Sequence, residues 1–378
     1  MTAHKLSENQ DFVLVLQGGG ALGAYQAGVY QALDEAGVCP DWIIGTSIGA
    51  INGALITGNA PDNRVSRLRE FWHAISCDDF ETWLPSALRH SQFISHMNAL
   101  RVQLWGDPSF FLPRWTLGFK ALMGLKPETA SFYDTRPLRR TLNQYIDFDQ
   151  LNAGDIHLSV GAASVTRGEI AYFETIRERL RVEHVLASCS LPPGFAATRV
   201  DGDIYWDGGV CSNMPLEKLL SDDASRNRDS LCFMVQLWNQ EGSEPSSLMD
   251  VSARQKEIGY ASRYRHEIEA FQNTHRLRHA ISELFEALPE NKRASDRFKA
   301  LSELGSNRRM DIVRLGRKTH EWELSTKDIN FSWATVRERW EHGYQDGHKA
   351  LRQAPWQRED HAREGVFTHE IRSAEEDY

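Results

Sequence analysis

The chain is short of the features that mark several large protein classes. Its 378 residues include only 5 cysteines (Cys39, Cys77, Cys189, Cys211 and Cys232). They are odd in number, widely spaced and form no CxxC pair, so neither a disulfide framework nor a zinc site is indicated. No stretch approaches the roughly 18 consecutive apolar residues of a membrane-spanning helix. Met1–Asp11 is polar and has no basic segment leading into an apolar run, which excludes an ordinary secretory signal. Positive charge is in deficit, with 43 Lys and Arg against 52 Asp and Glu and a net charge of −9. That argues against nucleic acid as a partner. No internal repeat is found. These absences leave a globular chain expected in the cytoplasm, with any membrane contact peripheral.

What is present has the periodicity of an α/β protein. Phe12–Leu16 is a short apolar run ending in glycines, as expected of a parallel strand buried on both faces. Ala24–Ala36 reads as a helix stopped by Gly37, and Trp42–Ile44 as a second strand leading into a small-residue helix over Ile48–Ile56. Strand–helix–strand–helix in about fifty residues implies a mainly parallel sheet with right-handed crossovers. Asn63–Ile75 reads as a helix. Phe80–Ala130 is rich in aromatics and interrupted by prolines, and is expected to be an insertion that either caps a site or forms its own core. Further on, Ile156–Val165 and Glu169–Thr175 read as a hairpin, Val182–Ser190 as a helix, and Ile204–Trp206 and Leu231–Leu237 as strands. Arg254–Leu288 has helical spacing and Met310–Leu315 could be a strand. Trp333–Leu351 is helical again. The expected divisions are a catalytic domain over 12–220 (core strand continuing to about 238), a helical extension over 250–355 and a loosely ordered tail over 356–378. The tail is acidic, with 7 acids and 2 bases from Glu359 to Tyr378. By contrast, Arg254–Lys318 holds 15 Lys and Arg against 9 Asp and Glu.

Three pieces carry chemistry. Gly18-Gly19-Gly20-Ala21-Leu22-Gly23 is a glycine loop between a strand and a helix. It satisfies a dinucleotide-binding fingerprint, but the second strand then needs an acid at its carboxyl end for the ribose. Asp41 lies at the wrong end of that strand, and Gly45-Thr46-Ser47-Ile48-Gly49 occupies the right one. The alternative use of such a loop is to present bare N–H groups to an oxyanion, helped by the positive end of a helix. G-x-S-x-G places a serine at a sharp strand-to-helix turn, where its hydroxyl projects above the sheet. A serine needs a base. The fourteen histidines have no flanking features that would fix one near the elbow. Asp207 follows Ile204-Tyr205-Trp206 and precedes Gly208-Gly209, so it sits at a strand end among small neighbours. Partial burial would raise its pKa from about 3.9, the direction that base catalysis needs. Asp201 and Asp203 compete, but read as a turn.

In this order and context, Gly18–Gly23, Gly45–Gly49 and Asp207–Gly209 resemble the patatin-like phospholipase family. So do Ala187–Phe195 and Asn213-Met214-Pro215. The resemblance covers roughly Phe12 to Leu220, and the part after Asp250 resembles the C-terminal extension of a bacterial subgroup. It implies a three-layer α/β/α fold, with a mostly helical C-terminal extension. It also implies a Ser–Asp dyad cleaving lipid acyl esters with no metal or cofactor. Carried over, Ser47 is the nucleophile, Asp207 the base, and Gly18, Gly19, Gly20 and Ile48 the oxyanion hole. Gly23, Gly45, Gly49, Gly208, Gly209 and Asn213 support these motifs. Leu22 departs from the Lys or Arg that many members place there. The competing readings are an oxidoreductase using the Gly18–Gly23 loop and a lipid-binding scaffold with an idle dyad.

Overall fold

The computed structural model describes residues 10–76, 101, 104–114, 125–222, 228–242, 244–261, 264–318, 326–357 and 365–371. In chain order its strands are β1 (Gln10–Leu16), β2 (Trp42–Thr46), β3 (Leu112–Pro113), β4 (Tyr133–Asp134), β5 (His157–Ser164) and β6 (Ile170–Glu174). They continue with β7 (Thr198–Val200), β8 (Asp203–Asp207), β9 (Asp229–Gln236), β10 (Arg309–Gly316) and β11 (Gly365–Ile371). Nine of them form one sheet in the order β11-β10-β9-β1-β2-β5-β8-β7, with β6 also on β5. Neighbours from β11 to β5 run parallel, and β6, β7 and β8 join antiparallel. β3 and β4 make a separate ribbon.

The central strands are apolar without alternation because helices cover both faces. Phe12, Leu14 and Leu16 of β1 enter one core, and Val13 and Val15 enter the other. The first core is shared with the helices Ala24–Glu35, Ile48–Thr57, Arg64–Ala74 and Trp333–Gln353. The second is shared with Leu216–Asp222 and Tyr264–Glu286. This is the expected three-layer α/β/α architecture. The Ala24–Glu35 helix ends as the sequence suggests, with Gly37 at φ 71° and its N–H bonded to Asp34. The helix expected over Arg254–Leu288 is divided into Leu248–Tyr260 and Tyr264–Glu286.

The C-terminal part differs from a simple appendage. Helix Trp333–Gln353 lies directly on helix Ala24–Glu35. A Cβ on Gly28 would sit 1.9 Å from the Trp340 carbonyl, and one on Gly343 2.0 Å from that of Tyr25, so only glycine permits this approach. Tyr25 Oη donates to Asp346 at 2.7 Å across the same contact. β10 pairs with β9, and β11 with β10. The expectation of a loosely ordered tail therefore fails over Gly365–Ile371, where His369 Nε2 meets buried Asp311 at 2.8 Å. Most of the expected Phe80–Ala130 insertion lies outside the described residues. Among the described residues no helix is long and apolar enough to cross a membrane.

Candidate active site

The sheet makes two strand ends meet. β5 pairs with β2 as far as Gly161↔Thr46, and with β8 from Ala162↔Asp207 onward. β6 pairs with β5 across both stretches, so β2 and β8 share the opposite edge of β5. β2 runs toward the junction and β8 runs toward it from the other side. Ser47 and Asp207, 160 positions apart in the chain, are thereby juxtaposed, and Ser47 Oγ donates to Asp207 Oδ2 at 2.7 Å.

Ser47 sits at φ 56°, ψ −125°, between β2 and the Ile48–Thr57 helix. A non-glycine residue held there stores on the order of 1–3 kcal/mol of strain. The surroundings fix it. Its N–H donates to Ser188 Oγ at 2.8 Å, and Ser188 in turn donates to the Gly161 carbonyl at 2.6 Å. Cys189 Sγ approaches the Ser47 carbonyl at 3.4 Å, and the Asp207 N–H donates to the Ser190 carbonyl at 3.0 Å. The 187–190 segment, outside both motifs, thus clamps the serine and the aspartate together. Gly45 and Gly49 flank the elbow, with Gly49 packed against the Leu16 carbonyl.

Asp207 is 2% exposed. Its Oδ1 accepts the Gly209 N–H at 2.8 Å, and Gly208 begins the same turn. Burial pushes its carboxyl up to about 7, although the Ser47 and Gly209 hydrogen bonds pull it down. A carboxyl with that affinity can take up and return a proton near neutral pH. Asp201 and Asp203 lie elsewhere, paired with Arg181 and Arg167 at the surface.

The glycine loop faces this pair. Gly20 has φ +54°, and a Cβ there would lie 2.3 Å from the Asp328 carbonyl. The Gly18 N–H is already used, donating to the Asn213 carbonyl at 3.0 Å. Gly18 therefore has no donor for an oxyanion, a correction to the sequence expectation. The Gly18 carbonyl accepts from Asn213 Nδ2 at 3.1 Å and Trp238 Nε1 at 2.8 Å, which hold the loop rigid. Among the described residues, the N–H groups of Gly19, Gly20 and Ile48 donate to no protein acceptor. Gly23 packs on Ile48. Leu22 is fully buried in the core, so this position does not present a side chain to Ser47. The ribose-binding acid of the dinucleotide reading has no counterpart: Asp41 accepts the Phe12 N–H at 2.8 Å at the opposite end of β1 and β2.

A cavity of about 440 Å³ opens over Ser47 and Asp207. Phe110, Phe111, Phe195 and Phe331 line it and touch one another, with ring centroids 5.3–6.1 Å apart. Phe110 and Phe111 belong to the segment expected to be an insertion. The Leu248–Tyr260 helix adds Lys256 and Tyr260 to the wall, and the 328–331 stretch adds Asp328. Sequence reasoning missed these residues, as it did Trp238 and Gln17, and it noted Ser188 only within the Ala187–Phe195 block, with no role of its own. Gln17 Oε1 accepts the N–H groups of Leu237 and Trp238 at 2.6 and 3.1 Å and ties the glycine loop to the end of β9.

One His–carboxylate cluster among the described residues, Glu178, His184 and Asp201, has its ligand atoms within 4.8 Å of one another. His184 Nδ1 accepts the Arg181 N–H at 2.8 Å, so the neutral ring carries its proton on Nε2. That nitrogen faces Glu178 and offers an ion no lone pair.

Comparison with known proteins identifies the family. A family model described as "Patatin-like phospholipase" matches residues 14–220, more than half of the chain, and one described as "Patatin phospholipase" matches 258–363. "Lysophospholipase nte1" of Aspergillus terreus is 62% identical over 47 residues, 12% of this chain and 3% of that protein. "Patatin-like phospholipase domain-containing protein 6" of Homo sapiens is 46% identical over 59 residues, 16% of this chain and 4% of that protein. The alignments thus span only a few per cent of the length of these relatives. The crystal structure of VipD from Legionella pneumophila aligns over 89% of this chain and 67% of its own, at 14% identity and a TM-score of 0.33.

Proposed function

The chain belongs to the patatin-like phospholipase family, and on that premise we propose that it is a serine hydrolase of lipid acyl esters. The observation that carries the reading is the 2.7 Å hydrogen bond from Ser47 Oγ to a buried carboxylate at the floor of an aromatic cavity. In the proposed route Asp207 Oδ2 takes the Ser47 proton as Oγ attacks the ester carbonyl carbon. The oxyanion is received by the N–H groups of Gly19, Gly20 and Ile48, which the fold holds in place before the substrate arrives. Collapse expels the alcohol, which takes its proton from Asp207, and leaves an acyl group on Ser47. Water then gives a proton to Asp207, attacks the acyl carbon and releases the fatty acid, and the proton returns to Ser47. The aromatic wall suits an acyl chain.

Peripheral contact with a lipid surface is part of the same reading. Trp105, Leu112 and Phe132 are exposed large apolar side chains on the segments that wall the cavity, and Phe132 reaches the cavity itself. Co-sedimentation with neutral and anionic liposomes tests this, and failure to bind either would remove it.

Labelling with a fluorophosphonate probe tests the chemistry. Labelling of the wild type that is lost in Ser47→Ala and reduced in Asp207→Asn is the expected result. Undiminished ester turnover by folded Ser47→Ala would sink the proposal.

A further inference from the structure

Resting on the hydrolase reading, we propose that Lys256 and Asp328 form a headgroup subsite that selects acyl esters bearing a zwitterionic phosphodiester headgroup. Apart from Asp207, the Lys, Arg, Asp and Glu residues lining the cavity are these two, among the described residues. Lys256 Nζ and Asp328 Oδ1 are 2.6 Å apart, with side chains 29% and 13% exposed. The pair stands beside the glycine loop, since the Asp328 backbone carbonyl fills the space where a Gly20 side chain would project. A substrate carbonyl seated on Gly19 and Gly20 therefore brings its glycerol side within reach of the pair.

Aromatic faces complete the subsite. Lys256 Nζ lies 5.9 Å from the Trp238 ring centroid, and the Tyr260 ring is 5.2 Å from that of Trp238. Both rings line the cavity. Tyr260 Oη is pushed up to about 12 by burial and by the nearby Asp328 and Asp207 carboxylates. It therefore stays protonated as a donor.

The charge balance decides between headgroups. A neutral glyceride can exchange neither charge of the pair, so it must bind beside an intact ion pair. A purely anionic headgroup that took Lys256 would leave Asp328 without a counter-charge in a largely apolar wall, which is costly. A zwitterion exchanges both charges at once. Its phosphate oxygens accept from the Lys256 ammonium, and its own ammonium faces Asp328 and the ring of Tyr260, the Trp238 ring already carrying Lys327 at 5.4 Å. No uncompensated charge is buried.

Binding of ether-linked decyl glycerophosphocholine and of decyl glycerol ether to the full chain tests this, read by intrinsic tryptophan fluorescence. Turnover of the corresponding lysophosphatidylcholine and monoacylglycerol is measured alongside. The wild type is expected to prefer the phosphocholine compound by about tenfold or more in both assays, the scale of charge-assisted hydrogen bonds. Lys256→Arg retains the preference. Lys256→Met loses it, and the double variant Lys256→Met/Asp328→Asn loses it without stranding a lone charge. Equal affinities in the wild type, no binding of the phosphocholine ether, or a preference that survives in the double variant would overturn the subsite. So would equal weakening of both ligands, the result of a purely structural ion pair. Tight binding of an anionic phosphoglycerol analogue would overturn the role of Asp328. The ether ligands need no turnover. Preference without hydrolysis thus refutes the hydrolase reading alone, and hydrolysis without preference refutes the subsite alone.

Discussion

Asp207→Asn should separate activity from stability in a pH-dependent way. The carboxyl is raised from 3.8 to about 7 in the fold, chiefly by burial. Between about pH 4 and 7 the native state therefore holds a proton that the unfolded chain has lost, and linkage makes stability fall as pH rises through this window. Roughly three units at 1.36 kcal/mol each give a total loss of about 4 kcal/mol, complete above pH 7. Between pH 5 and pH 8 the loss is roughly 2–3 kcal/mol. Asparagine cannot ionise. Its Oδ1 can still accept the Gly209 N–H, and its amide can donate to Ser47 Oγ. Urea unfolding of both proteins at pH 5 and pH 8 should show Asp207→Asn gaining on the wild type by about that difference. Ester hydrolysis by the variant should fall by about a thousandfold or more, since the serine loses its base. Wild-type turnover should rise with unit slope up to about pH 7, so that a unit below the midpoint it is about a tenth of its plateau. A stability difference equal at both pH values, or a wild-type rate flat from pH 5 to 8, would refute an elevated Asp207.

Three substitutions probe the scaffold around the pair. Ser188→Ala removes the acceptor for the Ser47 N–H and the donor to Gly161; unfolding should show a loss of about 1–3 kcal/mol, with kcat falling more than KM. Gly20→Ala places a methyl 2.3 Å from the Asp328 carbonyl at positive φ, and should cut kcat by about a hundredfold and lower Tm. Trp238→Phe deletes one of two donors to the Gly18 carbonyl while keeping an aromatic ring. Because Asn213 Nδ2 remains, it should cost only about 1 kcal/mol in chemical denaturation.

The residues whose roles are local were legible in the sequence. A strand running into a glycine loop, and a serine between Gly45 and Gly49, announce themselves over five or six positions. The partners that fix them do not. Ser188 meets Ser47 across 141 positions, and Trp238 meets Gly18 across 220. Only the sheet order creates those contacts. Gly18 illustrates the same limit: as a glycine in a Gly-rich loop it looks like an oxyanion donor, yet its N–H is taken by Asn213, which only the folded chain reveals. The tail was misread for another reason. Its acidic composition, averaged over twenty residues, hides the seven-residue strand Gly365–Ile371, which is held by register with β10 and by His369 on Asp311.

The C-terminal region is best understood as part of the site rather than as an addition to it. β10 covers what would otherwise be the open edge of β9, beside the very strand that leads to Trp238. One carbonyl, that of Tyr260, accepts both Gln17 Nε2 at 3.0 Å and Asn213 Nδ2 at 2.9 Å. Those two amides hold the glycine loop, Gln17 through the end of β9 and Asn213 through the Gly18 carbonyl. Without the Leu248–Tyr260 helix both would lose a buried acceptor at once, and each orphaned donor costs about 1–3 kcal/mol. The cavity would also lose Lys256, Asp328 and Phe331. Residues 14–220 thus carry Ser47 and Asp207, but the glycine loop beside them is braced, and the cavity above it walled, by the chain that follows.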